Sequence, residues 1–284
     1  MTGETGKTKG SLDDTLALMR DLRARCDWDA AQTHQSLRPY LIEESLEVDD
    51  ALRAGNDDLL REELGDLLLQ VLFHSVVAEE RGAFDMHDVA GGLVAKMRAR
   101  HPHLYGGGEK REWEAMKAAT PRNSVADGLP VDLPALHRAH RLQDRAAGMG
   151  FDWPDARGPA AKVAEELREV ERELGSSRAE PASPAPSSRA EPAQRAGPGD
   201  LMSAGAGPHA ARLEAELGDL LFACVNLCRK AGVHAALALE QANLKFVRRL
   251  DAVSALARRR GLVLDGMSLA ELDALWDEVK RGEK

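Results

Sequence analysis

Glu166 and Glu169 are three residues apart, and so are Glu216 and Asp219. On a helix that spacing puts both carboxylates of a pair on one face. Glu44 with Glu47, and Glu63 with Asp66, repeat the arrangement. Asp66 is followed by Leu67, Leu68 and Leu69, a stretch with no polar face to spare. A carboxylate aimed at such a core costs several kcal/mol unless something compensates it. Facing acidic pairs repel strongly at low dielectric, and a divalent cation relieves that repulsion. All eight acids are hard oxygen donors, which suit Mg²⁺, Mn²⁺ or Ca²⁺. No histidine holds a ligand position, so di-iron and zinc sites are disfavoured. The alternative for any one pair is an ordinary solvated helix face. Two matching sets, each beside an apolar helix, favour the metal.

The helices that must carry these acids occur twice. EESLE at 43–47 matches EELRE at 165–169, and ELGDLL recurs at 63–68 and 216–221. Each ELGDLL opens a strongly apolar helix, DLLLQVLFHSVV in one copy and DLLFACVNLC in the other. Lys96 to Arg100 rhymes with Lys245 to Arg249, Trp113 and Lys117 with Trp276 and Lys280, and Cys26-Asp27-Trp28 with Phe151-Asp152-Trp153. This order predicts two related domains, at 11–128 and 129–284, divided near Gly128, Pro130 and Pro134. Residues of about 175–211 are rich in Pro, Ala, Ser and Gly and read as a disordered insertion in the second domain. In the first copy the short turn RAGNDD makes the same connection, so the two acidic helices become antiparallel neighbours. Ser11 with Asp14 and Ser268 with Glu271 have capping-box spacing. Leu269, Leu272, Leu275, Trp276 and Val279 mark one apolar stripe. No segment alternates as a strand does, and the fold class predicted is all-α, built of helical bundles.

Composition agrees. The 284 residues are 43% hydrophobic but only 4% aromatic, a balance that favours helix over sheet. A net charge of −9 argues against binding a nucleic-acid polymer, which needs a basic face. No apolar run approaches the roughly 18 residues of a membrane span, and no leader is expected. The three cysteines, Cys26, Cys224 and Cys228, read as free thiols in a reducing cytoplasm. The opening MTGETGKT looks like part of a phosphate-binding loop, but Met1 stands at the first glycine position. A frayed polar terminus is the expectation there.

EE-x-x-E followed by E-x-x-D in an ELGDLLF-like context resembles the MazG nucleoside triphosphate pyrophosphohydrolases. DWDAAQTHQSL, RARHPHLYG, GFDW, ANLKFVRR and LWDEVKR support the resemblance, which runs from about Leu12 to Lys280 in the two-domain form. The resemblance implies an all-α homodimer that depends on Mg²⁺, with Mn²⁺ as a substitute. It implies hydrolysis of a (deoxy)nucleoside triphosphate to the monophosphate and pyrophosphate, as housekeeping of nucleotide pools. By position, Glu166, Glu169, Glu216 and Asp219 look like Mg²⁺ ligands. Glu165 is a candidate to orient or deprotonate the attacking water. Lys162, one turn before Glu166, could reach a phosphate. Lys245 and Arg249 look like triphosphate contacts on one helix face, with Lys280 added to the nucleotide-binding set. Trp276 looks like a base-stacking residue, its alternative being a helix-core tryptophan.

The implied chemistry is metal-assisted, in-line attack at the α-phosphorus, with no Ser, Cys or His nucleophile. The insertion at 175–211 departs from the family pattern, as does Tyr40 at the position matching Lys162. The second domain is therefore the expected catalyst. Glu44, Glu47, Glu63, Asp66, Lys96 and Arg100 form a possible second site in the first. The rival readings are a nucleotide- or Mg²⁺-sensing scaffold without turnover, and a narrow pyrophosphatase for one nucleotide.

Overall fold

A computed structural model describes residues 10–110, 124–176 and 208–283. The N-terminal octapeptide, Trp113 with Lys117, and residues 177–207 of the expected insertion lie outside the described residues. Every described element is helical, as the sequence predicts. The chain divides into two compact units, Met1–Lys110 and Arg111–Lys284.

The first unit contains α1 (Leu12–Arg25), α2 (Asp27–Ala31), α3 (Arg38–Ala54), α4 (Asp57–Glu79), α5 (Met86–Ala99) and α6 (Pro102–Tyr105). Ser11 caps α1 with the predicted box: its hydroxyl accepts from the Asp14 N–H, and the Asp14 carboxylate accepts from the Ser11 N–H. The core joins Leu16 and Met19 of α1 to Leu37 and to Leu72, Phe73, Val76 and Val77 of α4. Full burial of such side chains stabilises by about 1.5–3 kcal/mol each. That core takes only the second half of α4, which leaves the first half free to present Glu63 and Asp66. Gly55 ends α3 at φ 62°, a left-handed conformation that glycine adopts without strain. Asn56 then caps α4 by accepting from the N–H groups of Asp58 and Leu59. This two-residue turn lays α3 along α4.

The second unit contains α7 (Ala135–Gly148), α8 (Arg157–Ser176), α9 (Pro208–Lys230), α10 (Ala235–Arg259) and α11 (Leu269–Gly282). Helices α8 and α9 pack along one another, and α7 covers α9. Gln143 Nε2 donates to the Phe222 carbonyl at 2.8 Å and pins that contact. Arg145 donates to the carbonyls of Val125 and Asp127 at 2.7 and 2.8 Å, which holds the segment before α7 against this unit. Helices α10 and α11 form a hairpin over Val253, Ala257 and Leu275. Ser268 and Glu271 make the second predicted capping box, at the start of α11.

Candidate active site

In the second unit α8 supplies Lys162, Glu165, Glu166 and Glu169, and α9 supplies Glu216 and Asp219. One carboxylate oxygen each from Glu166, Glu169 and Glu216 lies within 4.8 Å of the others. Glu166 is buried, with a side chain 6% exposed. Its charge is met by Lys162, whose Nζ lies 2.7 Å from Glu166 Oε1 and 2.9 Å from Glu165 Oε1. These contacts, first that to Glu166 and then that to Glu165, hold the ammonium above the usual lysine range. Glu169 is raised above the ordinary carboxylate range by loss of solvent, then by Glu166 and Glu216. Such a set of crowded, hard oxygen donors fits a small divalent cation.

Beside the cluster lies a cavity of about 790 Å³. Lys162, Glu166 and Asp219 belong to its wall, and Phe151, Trp153 and Phe222 supply apolar surface. Asp219 thus faces the cavity rather than completing the tight triad. The wall is fixed by polar contacts. Arg229 donates to Asn226 Oδ1 at 2.8 Å and pairs with Asp152, to which Lys230 Nζ also comes within 3.1 Å. Burial opposes ionisation of Asp152, but Arg229 and Lys230 outweigh it and hold the carboxyl below its ordinary range. Trp153 lies so close to Gly158 that a β-carbon there would overlap the indole. Glycine at the start of α8 therefore lets an aromatic wall form. None of Phe151, Trp153, Phe222 or Asn226 was singled out as a site residue from sequence. The repeated Asp-Trp dipeptide was the one signal present.

The structure gathers other sequence-derived residues elsewhere. Lys245, Arg249, Trp276 and Lys280 all belong to the α10–α11 hairpin, and none lines the cavity. Arg249 donates twice to Glu283 Oε2, at 2.9 and 2.7 Å, and its guanidinium lies 5.9 Å from the Trp276 ring centre. Trp276 packs against the hairpin core and meets Phe246 at 5.5 Å. Lys245 and Lys280 are exposed.

The first unit builds a second acidic triad from different members. Glu44 of α3 converges with Glu63 and Asp66 of α4, again within 4.8 Å, while Glu47 lies outside the triad. Glu44 is raised above the ordinary range by loss of solvent, then by Asp66 and Glu47. Glu63 is raised by loss of solvent, then by Glu47 and Asp66. Tyr40, at the position of Lys162, meets Trp28 edge-on at 6.3 Å, and Trp28 meets Phe73 at 6.4 Å. Lys96 is exposed on α5 and Arg100 ends it, so both stand on a helix other than the two that carry the acids.

A family model for the MazG nucleotide pyrophosphohydrolase domain matches residues 32–105. Over 280 residues the chain is 37% identical to the nucleoside triphosphate pyrophosphohydrolase/pyrophosphatase MazG of Thermotoga maritima, covering 96% of each. It is 36% identical over 286 residues to the nucleoside triphosphate pyrophosphohydrolase of Escherichia coli K12, covering 96% of this chain and 98% of that one. A Mycobacterium tuberculosis protein of the same description is 42% identical over 168 residues, 56% of this chain and 50% of its own.

Proposed function

Because the chain belongs to the MazG family of nucleoside triphosphate pyrophosphohydrolases, we propose that its second unit hydrolyses (d)NTPs to (d)NMPs and pyrophosphate. The observation that carries this reading is the junction of acidic triad and apolar cavity, which share Glu166 in one wall. Glu166, Glu169 and Glu216 would hold Mg²⁺, with Asp219 at the cavity side. Bound there, the ion supplies charge neutralisation at the phosphates and a more acidic water. The chain's own groups do the rest. Phe151, Trp153 and Phe222 give the nucleoside a flat apolar surface, on which stacking tolerates many bases. That tolerance fits broad clearing of nucleotide pools. Lys162 offers its ammonium to a phosphate oxygen from the same wall. Glu165, beside Lys162 and more exposed than Glu166, is the group available to hold or accept a proton from water.

The sequence repeat supports reading the chain as two MazG-like domains, at 11–128 and 129–284, the first carrying a weaker or differently selective site. A homodimer is supported by the exposed apolar side chains of α9 and α10, among them Leu217, Leu221, Leu244, Val247 and Leu250. In such a dimer Lys245, Arg249, Trp276 and Lys280 could serve a site on the second copy. Three free thiols favour a reducing, cytoplasmic location. No single helix among the described residues is long and apolar enough to cross a membrane.

The test is a panel of NTPs and dNTPs with Mg²⁺ and the full chain, assaying pyrophosphate and phosphate separately. Pyrophosphate with a nucleoside monophosphate is expected. Binding without either product would leave the chain a sensor.

A further inference from the structure

The ion pair between Lys162 and Glu166 sits where the proposed metal site needs a free carboxylate. Glu166 is buried beside two other carboxylates. A buried charge is tolerated only when it is paired. The pair is made in the less favourable order, with the cation N-terminal to the acid on the helix. Helical preference alone does not explain it. The local negative field does, since two acids besides Glu166 stand within 4.8 Å of one another and Glu165 adds a third.

From this geometry, and resting on the metal-site reading above, we propose that Lys162 is an internal stand-in for the metal. It neutralises Glu166 until a triphosphate arrives and draws the ammonium away. An ammonium hydrogen-bonded to Glu166 Oε1 competes with any cation for that oxygen. Lys162 can leave, because its side chain is 38% exposed, sits on a flexible four-carbon stem and already lines the cavity. A phosphate in the cavity gives it a new partner and frees Glu166. Nucleotide and metal therefore bind cooperatively in the second unit, and by linkage each raises the affinity for the other by the same factor. The first unit contains its own control. Tyr40 cannot neutralise Glu44, so the first triad takes a divalent cation without nucleotide.

Mn²⁺ binding, followed by the electron paramagnetic resonance of the free ion, tests this. The full chain would carry Glu63→Gln and Asp66→Asn, so that Mn²⁺ reports on the second triad. Without nucleotide, Lys162→Met should bind Mn²⁺ on the order of tenfold tighter than the chain with Lys162, the scale of one lost charge-assisted contact. Lys162→Arg, which keeps a cation, should bind as weakly as lysine and guards against a folding artefact. An α,β-methylene nucleoside triphosphate should tighten Mn²⁺ binding to the lysine form much more than to the methionine form. Equal Mn²⁺ affinities for the lysine and methionine forms would overturn the stand-in role and leave the metal site intact. No Mn²⁺ uptake by either, with or without the analogue, would overturn the metal site itself.

Discussion

Glu44, Glu63 and Asp66 converge in the first unit beside Tyr40; Glu166, Glu169 and Glu216 converge in the second with Lys162 already against Glu166. One acidic pattern thus yields two electrostatic states. In the first triad Glu44 and Glu63 are both raised, by loss of solvent and then by their acidic neighbours. In the second Glu169 is raised likewise, but Glu166 is met by a lysine. The second also has a cavity against its acids. A repeated motif therefore gathers carboxylates, while the residue one turn earlier and the neighbouring aromatics set what surrounds them.

The largest effect should separate the units outright. Glu169→Gln should cut turnover on the order of a hundredfold or more, the loss typical when a charge-stabilising contact is removed. Glu47→Gln should leave most of it, and pyrophosphate release by the two variants checks this. A reversal of the two would assign catalysis to the first unit.

Next in size is Lys162→Met, which should lower kcat/KM about tenfold, mainly through KM, since one charge-assisted hydrogen bond is lost. Tyr40→Phe should change neither constant. Equal sensitivity at the two positions would erase the distinction drawn between them.

A smaller effect is expected of Gly158→Ala. The added methyl must displace Trp153, an overpacking that costs about 1–3 kcal/mol. KM should rise severalfold while Mn²⁺ binding at both triads stays as it was. Loss of metal binding in this variant would show that cavity and triad are not separable.

Acid sensitivity gives the smallest contrast. Asp152 is held below the ordinary carboxylate range, so its stabilising pair is fully present above the unfolded value and is lost as pH falls through the lower folded one. Glu80 is held down by Arg23 in the same sense. Asp152→Asn should lower stability at neutral pH by about 1–2 kcal/mol, because both partners are largely buried. Glu80→Gln should cost well under about 1 kcal/mol, since Glu80 is 44% exposed to screening solvent. In both variants the difference from the parent should shrink as pH falls below about 4, toward the lowered folded values. Thermal melts from pH 7 to 3 measure both.

Much of this was legible in the sequence because it is local. Capping boxes at Ser11 and Ser268 need only a three-residue spacing. The acids are set by helical periodicity and a repeated motif. What stayed hidden depends on chain segments far apart. Gln143 meets the Phe222 carbonyl, and Arg229 meets Asp152, each across more than 70 residues. Periodicity carries no record of such pairings. Lys162 was read as a phosphate contact because its spacing allows one, but spacing does not say which carboxylates lie nearer. Trp276 shows the limit from the other side: an exposed stacking ring and a hairpin-core ring have the same sequence signature. The histidines look scattered in sequence, yet His234 lies 4.3 Å from His137 and 4.4 Å from His140, ring centre to ring centre.

The connection between the paired acidic helices has a consequence for how the molecule is made. Gly55 and Asn56 alone join α3 to α4, whereas residues 177–207 separate α8 from α9. Closure of a connection costs more as its length grows, by about 0.6 kcal/mol for each doubling. The first helical pair is a local event and should close early, while its ribosome is still translating the second. The older half of each nascent chain would then have brought Glu44, Glu63 and Asp66 together before the younger half has gathered its own triad.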